Sequence, residues 1–499
     1  MAVQGQVYLA VDLGASGGRV VAGRFDGRRL ELDEVYRFEN GPVEASGRMY
    51  WDLLGQWTQV QTGLRAAAER FGEAITSLGV DTWGVDFALL GRGDELLGNP
   101  YHYRDPRTRG ALARAEQIVS REEIFAETGL QFMELNTLYQ LLALRWGDSP
   151  LLDVAESLLM MPDLFHWLLT GEKANEYTDA TTSQLYNPRT RGWSTRLLEA
   201  FDLPARILGP VVPPGTRLGP PRAAVAQATR LKGVEVILPG THDTASAVLA
   251  VPAASRPGAV PDWCYISSGT WSLMGAEVSA PVVTEHCRAL NFTNEGGVGD
   301  TVRLLKNIAG LWLVQECRRI WKLAGRDFAW EELIQLAESA PPLVSLIDPD
   351  HGDFVAPPDM PAAIREFCRR SGQAVPADEG AVIRCALESL ALRYRRVLGW
   401  LEELLGARMS TIHIVGGGAL NRTLCQMAAD ACQRTVIAGP VEATAIGNVM
   451  MQAVALGHVG SIAEARGVIR ESFAVQSYAP RDTAAWDAAD ERYRALAPV

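Results

Sequence analysis

Two short segments of similar composition stand at the start of the two halves of this 499-residue chain. Near residue 12 the sequence reads VDLGASGGRV, and near residue 270 it reads ISSGTWSLMG. In each, β-branched and apolar residues flank a turn of Gly, Ser and Thr, which is the pattern of a β-hairpin. Each half is near the upper size limit of one domain. The repeated pattern therefore predicts two related α/β domains that face each other across a cleft.

Strand-like and helix-like patterns alternate along both halves, which indicates the α/β class. We expect domains at residues 1–253 and 262–499, with the Pro-containing stretch 252–262 as their junction. A helix is predicted from Trp57 to Ala68, whereas the Pro- and Gly-rich stretch 203–219 is predicted to be loop. A long core-facing helix is predicted from apolar residues at helical spacing, namely Leu390, Tyr394, Val397, Leu401 and Leu404.

The composition is that of an acidic globular protein. Its net charge of −12 argues against nucleic acid as a partner, because nucleic-acid binders carry a basic footprint. No segment approaches the roughly 20 apolar residues of a membrane span, and no signal peptide is predicted. Seven scattered cysteines fit a reducing compartment, although a Cys368–Cys385 pair stays open. We expect a cytoplasmic monomer or small homo-oligomer.

Both hairpin turns have the composition of a phosphate-binding nest. Glycines and short hydroxyl side chains let several backbone N–H groups point into one concavity. Neither turn is a Walker A loop, because no GK[ST] follows the glycines. Arg19 follows the first turn and adds positive charge. Taken alone, each turn is equally consistent with an ordinary hairpin.

Two further features fit a nucleotide site. Asp12 ends the first strand beside the turn, where a carboxylate would hold Mg²⁺ at substrate phosphates; an Asx turn cap is the alternative. The triplet Gly416–Gly418 follows a strand and precedes a helix, so a flat nucleotide would approach its backbone closely. A plain strand-to-helix turn explains that triplet equally well.

Asp243 in ILPGTHDTASAV is the candidate catalytic base. Phosphoryl transfer needs a residue that orients the attacking hydroxyl and accepts its proton. The small residues that follow Asp243 leave space for a polyol, and His242 is a second donor or a structural histidine. Aspartate before such a run is also an ordinary helix start signal. The two roles are compatible if a helix begins at or just after Asp243.

Ten motifs follow one another within residues 7–480, namely DLGASGGR, DTWGVDF, YRDPRT, LLMMPDLFHWLLTG, NEYTDATTSQL, HDTASAV, SSGTWSLMG, NEGG, LKNIAGLWLVQE and HIVGGGALN. Together they resemble the motifs of the FGGY family of carbohydrate kinases, most closely those of its rhamnulokinase branch. The resemblance implies an actin-like ATPase fold, with two ribonuclease-H-like domains facing each other across a nucleotide and sugar cleft.

The resemblance also implies roles for individual residues, with Asp243 as proton acceptor. Nucleotide contacts are implied for Ala15, Ser16, Gly17, Gly18 and Arg19 in the first turn, Thr270 in the second, Gln315 and Gly417. Sugar contacts are implied for Gly84, His242, Asp243, Thr244 and Asn307. Rhamnulokinases often carry serine where this chain has Gly17, which removes one hydroxyl and leaves the backbone nest.

The activity implied is phosphorylation of a ketose at O1 by ATP with Mg²⁺, as a step of rhamnose metabolism. L-Rhamnulose is the favoured substrate, and L-fuculose or a pentulose is the alternative. Trp83 offers an apolar face for the methyl group of a deoxy sugar, although a buried core tryptophan is the commoner use. An actin-like nucleotide switch is the alternative of another class. Such a switch would have both phosphate-binding hairpins but would not need a sugar pocket.

Overall fold

The structure is a computed structural model that describes residues 5–254 and 260–497. Much of the predicted junction, at 255–259, therefore lies outside the described residues, as do the ends of the two predicted domains at 1–4 and 498–499. Within the described ranges, no helix has the length and apolar character needed to cross a bilayer.

The strands are numbered in chain order. They are β1 Gln6–Leu13, β2 Gly17–Phe25, β3 Leu30–Glu39, β4 Pro42–Ala45, β5 Arg48–Trp51, β6 Ile75–Thr82, β7 Phe87–Leu90, β8 Ser157–Met160, β9 Asn175–Glu176, β10 Tyr186–Asn187, β11 Gly192–Trp193, β12 Val211–Val212, β13 Arg217–Gly219, β14 Glu235–Ile237, β15 Trp263–Ser268, β16 Trp271–Val278, β17 Thr293–Gly296, β18 Val302–Ala309, β19 Thr411–Val415, β20 Thr435–Ala438 and β21 Gln476–Tyr478.

The helices are numbered in the same way. They are α1 Leu53–Phe71, α2 Ala111–Ala115, α3 Arg121–Thr128, α4 Thr137–Trp146, α5 Leu151–Val154, α6 Met161–Thr170, α7 Tyr177–Ala180, α8 Thr195–Ala200, α9 Ala223–Thr229, α10 Asp243–Leu249, α11 Glu285–Ala289, α12 Trp312–Leu323, α13 Trp330–Ser339, α14 Met360–Arg370, α15 Glu379–Leu405, α16 Arg422–Cys432, α17 Ala443–Ala455, α18 Ile462–Ser472 and α19 Thr483–Leu496.

The first sheet has six strands in the order β13-β14-β6-β1-β2-β3. Strands β1, β2 and β3 form an antiparallel meander, while β6 runs parallel to β1 and β14 parallel to β6. Seven of the eight residues of β1 are buried, as expected for a central strand covered on both faces. Helix α1 packs on β2 and β3, and Asp52 caps it by accepting a hydrogen bond from Gly55 N.

A second sheet has seven strands in the order β17-β18-β16-β15-β19-β20-β21. Its segment β16-β15-β19-β20-β21 repeats the connectivity of β2-β1-β6-β14-β13. In both, an antiparallel hairpin leads to two parallel strands and then an antiparallel edge strand. The two small-residue segments are the turns of the equivalent hairpins β1–β2 and β15–β16. The prediction of two related α/β folds is confirmed.

The chain divides into two compact units, and neither is continuous in sequence. The first comprises Met1–Gly258, Glu277–Leu304 and Ala443–Phe473; the second comprises Ala259–Ala276, Leu305–Glu442 and Ala474–Val499. The expected domains, 1–253 and 262–499, differ from these units at 277–304 and 443–473. Asn294 N bonds to Gly129 O, and α17 packs on α10, β1 and β6, which places both segments with the first unit.

Several local predictions can be compared directly with the structure. The helix predicted from Trp57 to Ala68 lies inside α1, and the long apolar helix is α15, in which Leu404 is only half-buried. The predicted loop at 203–219 contains the short strands β12 and β13. The thiols of Cys368 and Cys385 are free and buried.

Candidate functional site

Asp243 is the first residue of α10, so the predicted helix start is confirmed. His242 occupies the N-cap position and makes no capping side-chain bond, so Asp243 itself is not the cap. The Asp243 side chain is 33% exposed. Burial raises the pKa of Asp243; the charge of Asp12 raises it further, and His242 acts against the shift. The result is a rigidly mounted carboxylate with increased basicity.

The strand-to-helix turn before Asp243 is held by a buried glutamate. Oε2 of Glu176 accepts hydrogen bonds from the N and Oγ1 of Thr241 at 3.2 and 2.6 Å. Thr178 donates to the same oxygen, and its hydroxyl accepts the His242 N–H at 3.1 Å. Thr82 N donates to Thr241 O, which ties the turn to the end of β6. The direction of Asp243 is therefore set by packed, hydrogen-bonded backbone.

His242 lies between Asp243 and a buried ion pair. Its Nε2 is 3.4 Å from Asp243 Oδ1, and its Nδ1 is 3.0 Å from Nη2 of Arg303. Arg303 has no exposed surface, and its Nε donates to Gly296 O at 2.7 Å. Glu295 Oε2 lies 3.2 Å from Arg303 Nη2 and 3.4 Å from His242 Nδ1. Burial favours the neutral form of Glu295, yet its pKa lies below the ordinary value, and the charge of Arg303 is among the causes.

The first hairpin turn presents the backbone of residues 14–18. Gly14 N donates to Gly17 O at 2.8 Å, and Asn40 supports the turn by donating to Gly14 O and Ser16 O. Ser16 is exposed, whereas Gly18 is buried. A Cβ on Gly18 would lie 2.3 Å from the Phe38 ring, so only glycine fits this backbone position without a shift.

Two predicted site residues, Asp12 and Arg19, are paired with each other. They lie opposite one another in the β1–β2 ladder, and the Arg19 guanidinium donates to Asp12 Oδ2 at 2.7 and 2.9 Å. On its other side Asp12 lies opposite Asp81 in the parallel β1–β6 pairing. Asp81 has no exposed surface, accepts from Asn448 Nδ2 at 2.5 Å, and leaves Oδ1 without a hydrogen-bond partner. Burial, Asp12 and Asp243 raise the pKa of Asp81 well above its ordinary value.

This acidic pair is the candidate metal position. Among the described residues, no group of three or more His, Cys, Asp and Glu is arranged to hold a metal ion. Asp12 and Asp81 would offer two carboxylates to an ion here. That number fits Mg²⁺, which takes one or two carboxylates and completes its shell with water and phosphate oxygens.

Gly84 lies in a strained turn after β6. A Cβ on Gly84 would lie 2.9 Å from Thr182 Cγ2, and the next residue, Val85, has a φ of 70°. Positive φ at a β-branched residue is unfavourable and persists only where neighbours fix it. Val85 N donates a hydrogen bond to Thr182 Oγ1 at 3.0 Å, and Val85 O accepts one from Thr137 Oγ1 at 2.6 Å. The turn that carries Gly84 is thus held by side chains from two other elements.

Beside this turn, aromatic side chains surround Asp86. Its Oδ2 accepts from Trp51 Nε1 at 2.6 Å and Trp83 Nε1 at 3.0 Å, and its Oδ1 accepts from Gln140 Nε2 at 2.7 Å. The rings of Trp51 and Trp83 are 3.9 Å apart. Trp83 is buried, so its ring belongs to the core, the commoner of the two roles considered for it.

In the second unit, the turn of the second hairpin packs on the start of α12. Leu311 N donates to Gly269 O, and Trp312 N donates to Thr270 O at 3.1 Å. A Cβ on Gly310 would lie 2.5 Å from the Trp271 carbonyl carbon, so glycine permits this contact. Helix α12 carries Gln315, which the structure thereby brings into the same part of this unit as Thr270.

The glycine triplet lies beside the same hairpin. Strand β19 pairs in parallel with β15, and Gly416 then turns the chain with a φ of 83°. A Cβ on Gly418 would lie 2.0 Å from Ser268 Oγ at the end of β15. Thr270 and Gly417 therefore follow the ends of adjacent strands. Asn307 lies on β18 and is half-buried.

No role was predicted from the sequence for Asp81, Glu295, Arg303 or Asn448, which lie at the first-unit site. Asp81 lies in the motif DTWGVDF and Glu295 in NEGG, so both residues were within segments that indicated the family. The neighbouring residues did not indicate what these two carboxylates contact. Arg303 and Asn448 carried no signal, because their positions depend on packing between segments far apart in the chain.

Comparison with known proteins agrees with the motifs. Residues 7–250 match the N-terminal domain, and residues 264–456 the C-terminal domain, of the FGGY family of carbohydrate kinases. A rhamnulokinase from Bacteroides thetaiotaomicron is 47% identical over 97% of this chain and 98% of its own length. A rhamnulokinase from Pectobacterium atrosepticum is 43% identical over 98% of this chain and 96% of its own length.

Solved structures share the fold at low sequence identity. A ligand-bound xylulose kinase from Lactobacillus acidophilus superposes with a TM-score of 0.81 at 16% identity, covering 98% of this chain and 97% of its own. Glycerol kinase from Plasmodium falciparum with ADP has a TM-score of 0.77 at 14% identity, covering 98% of both chains. The expected fold is confirmed.

Proposed function

The chain belongs to the FGGY family of carbohydrate kinases, and on that premise we propose that it transfers the γ-phosphate of ATP to O1 of L-rhamnulose. Its class is that of a sugar phosphotransferase. The observation that carries the choice of sugar is the 47% and 43% identity, over nearly the whole chain, to two proteins named rhamnulokinase. The products are L-rhamnulose 1-phosphate and ADP.

Asp243 is the proposed proton acceptor. Its carboxylate starts α10 and is one-third exposed, so a substrate hydroxyl can reach it while the backbone stays fixed. A raised pKa makes the carboxylate a stronger base than an exposed aspartate, which favours proton removal near neutral pH. As the proton of the O1 hydroxyl moves to Asp243, O1 bonds to the γ-phosphorus and the bond from that phosphorus to the ADP oxygen breaks.

The two hairpin turns are the proposed nucleotide-phosphate contacts. In the first turn, the resemblance implies that Ala15, Ser16, Gly17 and Gly18 offer backbone N–H groups. Asn40 supports this turn by donating hydrogen bonds to Gly14 O and Ser16 O. Arg19 remains a proposed phosphate contact, although its guanidinium is bonded to Asp12. In the second unit, Thr270, Gln315 and Gly417 are the proposed nucleotide contacts.

Mg²⁺ would be held by Asp12, with Asp81 beside it. The buried and unpartnered Oδ1 of Asp81 next to a second carboxylate is the feature that suits a divalent cation. When bound, Mg²⁺ neutralises the phosphate charge during transfer. The ion pair of Asp12 and Arg19 places one negative and one positive charge at the end of β1, where the phosphates would lie.

The proposed sugar contacts are Gly84, His242, Thr244 and Asn307. Gly84 presents backbone without a side chain, and its turn is held by Thr182 and Thr137 rather than free to adjust. His242 presents Nε2 on the Asp243 side of its ring. Such fixed donors favour discrimination between sugars by hydroxyl position, because an unmatched polar group is costly to leave unpaired.

The assay is ADP release by the purified protein with ATP and Mg²⁺, measured across L-rhamnulose, L-fuculose, L-ribulose, D-ribulose, D-xylulose and glycerol. We expect the highest kcat/KM with L-rhamnulose. A higher kcat/KM with another ketose would reassign the sugar. Slow ATP hydrolysis that no sugar stimulates would instead indicate a nucleotide switch and overturn the kinase proposal.

A further inference from the structure

Arg303 and Glu295 form a buried pair that touches the back of His242, the residue before the proposed base. The side chain of Arg303 has no exposed surface, and that of Glu295 is 7% exposed. Burying such a pair is costly, and two apolar residues of the same volume would often serve stability equally well. We propose that Arg303 and Glu295 are positioning residues, which hold His242 with its ring hydrogen on Nε2 and so orient Asp243 for catalysis; the inference rests on the proposed kinase function.

The hydrogen-bonding groups decide the tautomer of His242. Arginine has N–H donors and no acceptor, so the 3.0 Å contact of Arg303 Nη2 requires His242 Nδ1 to accept. Glu295 Oε2, 3.4 Å from Nδ1, is left without hydrogen-bond geometry to any partner. Nδ1 therefore carries no hydrogen, and the neutral ring must carry it on Nε2.

The fixed Nε2–H in turn distinguishes the two oxygens of Asp243. Nε2 lies 3.4 Å from Oδ1, and Thr244 Oγ1 donates to the same oxygen at 3.1 Å. Both side-chain neighbours thus approach Oδ1, which leaves Oδ2 as the oxygen that accepts the O1 proton of the sugar. The opposite tautomer would turn a lone pair of Nε2 towards a carboxylate oxygen and push the two groups apart.

The role of Glu295 follows from its position beside both partners. It lies 3.2 Å from Arg303 Nη2 and compensates the guanidinium charge inside the protein. If Arg303 were removed, Glu295 Oε2 would be the nearest acceptor for an N–H on Nδ1, and the ring hydrogen would move there. Arg303 therefore keeps the ring hydrogen of His242 on Nε2, and without Arg303 its partner Glu295 would draw that hydrogen to Nδ1.

The first test is ¹⁵N NMR of the histidine-labelled resting protein, which needs no sugar. The chain has seven histidines, and His242→Gln identifies the His242 signals by their loss. We expect the hydrogen on Nε2 in the wild-type protein and on Nδ1 in Arg303→Met. A wild-type hydrogen on Nδ1, or an unchanged tautomer in Arg303→Met, would overturn the proposal.

The second test is kinetic. Arg303→Met should lower kcat about 10- to 100-fold, the cost of losing a group that orients a functional histidine, with a smaller change in KM for the sugar. In Arg303→Met/Glu295→Gln, the amide N–H₂ can donate to Nδ1, so both the Nε2–H signal and part of kcat should return. A double variant whose tautomer and kcat stay those of Arg303→Met would contradict the assignment.

Arg434→Met is the matched control. Arg434 is also largely buried and pairs with Glu402 at 2.9 Å, but both residues belong to the second unit. This variant should lose stability while keeping the Nε2–H of His242 and the wild-type kcat of folded protein. If it loses kcat as much as Arg303→Met, the effect is general destabilisation and the positioning role is refuted. If no sugar stimulates ADP release while NMR shows the predicted tautomer, the proposed function is refuted but the assignment of the tautomer to Arg303 and Glu295 is not.

Discussion

Asp86 should make the protein less stable as the pH rises from about 4 to about 7. Burial is the main cause that raises its pKa from 3.8 to about 6, against four lowering contributions that include the bonds from Gln140, Trp51 and Trp83. A folded-state pKa above that of the unfolded chain means that the folded protein binds the proton more tightly. The resulting stability is complete below pH 3.8 and is lost as the pH passes through 6.

The size of this effect follows from the two pKa values. Their difference, 6 − 3.8 = 2.2, corresponds to about 3 kcal/mol at about 1.4 kcal/mol for each pH unit. Because Asp86→Asn cannot titrate, the free energy of unfolding of the wild type minus that of the variant should be larger at pH 4 than at pH 7 by up to about 3 kcal/mol. Urea unfolding of both proteins across this range measures it. A difference that does not change with pH would refute the reasoning.

Three further substitutions and one control variant test the site and the packing that supports it. Asp243→Asn should lower kcat by about 10²–10⁴-fold with nearly unchanged sugar KM, measured as initial rates; turnover near wild type would remove Asp243 as the base. Gly447→Ala places a Cβ 1.8 Å from Ser246 O in α10, so the free energy of unfolding, measured by thermal unfolding, should fall by about 1–3 kcal/mol or more. Gly399→Ala is the control: open space surrounds Gly399, so this variant should not be destabilised. Asp12→Asn should raise the Mg²⁺ concentration needed for half-maximal rate roughly tenfold, because a carboxylate at the metal position is lost. An unchanged Mg²⁺ dependence would exclude Asp12 as a ligand of the metal.

The sequence was sufficient for the hairpins, because their signals are local. Turn glycines between β-branched runs predicted β1–β2 and β15–β16, and the small residues after Asp243 predicted α10. Motifs in register then predicted the actin-like fold, which the structure confirms. Each of these features depends on residues close together in the chain.

The rest depended on long-range packing that no local pattern encodes. Helix α17, some 200 residues after α10, joins the first unit because Gly447 lets it approach Ser246. Arg303 reaches His242 from 61 positions away. The chemistry of Trp83 alone left a sugar-facing role open, and its burial against Trp51 assigns it to the core.

The most direct test of the central claim is the structure of the product formed from ATP and L-rhamnulose. ³¹P and ¹³C NMR of the reaction mixture reveal which carbon carries the phosphate, through phosphorus–carbon coupling. We predict that phosphorus–carbon coupling appears at C1, that ADP forms in equal amount, and that both products form about 10²–10⁴-fold more slowly with Asp243→Asn. A phosphate on another carbon, or ADP formed with free inorganic phosphate and unchanged sugar, would contradict the account.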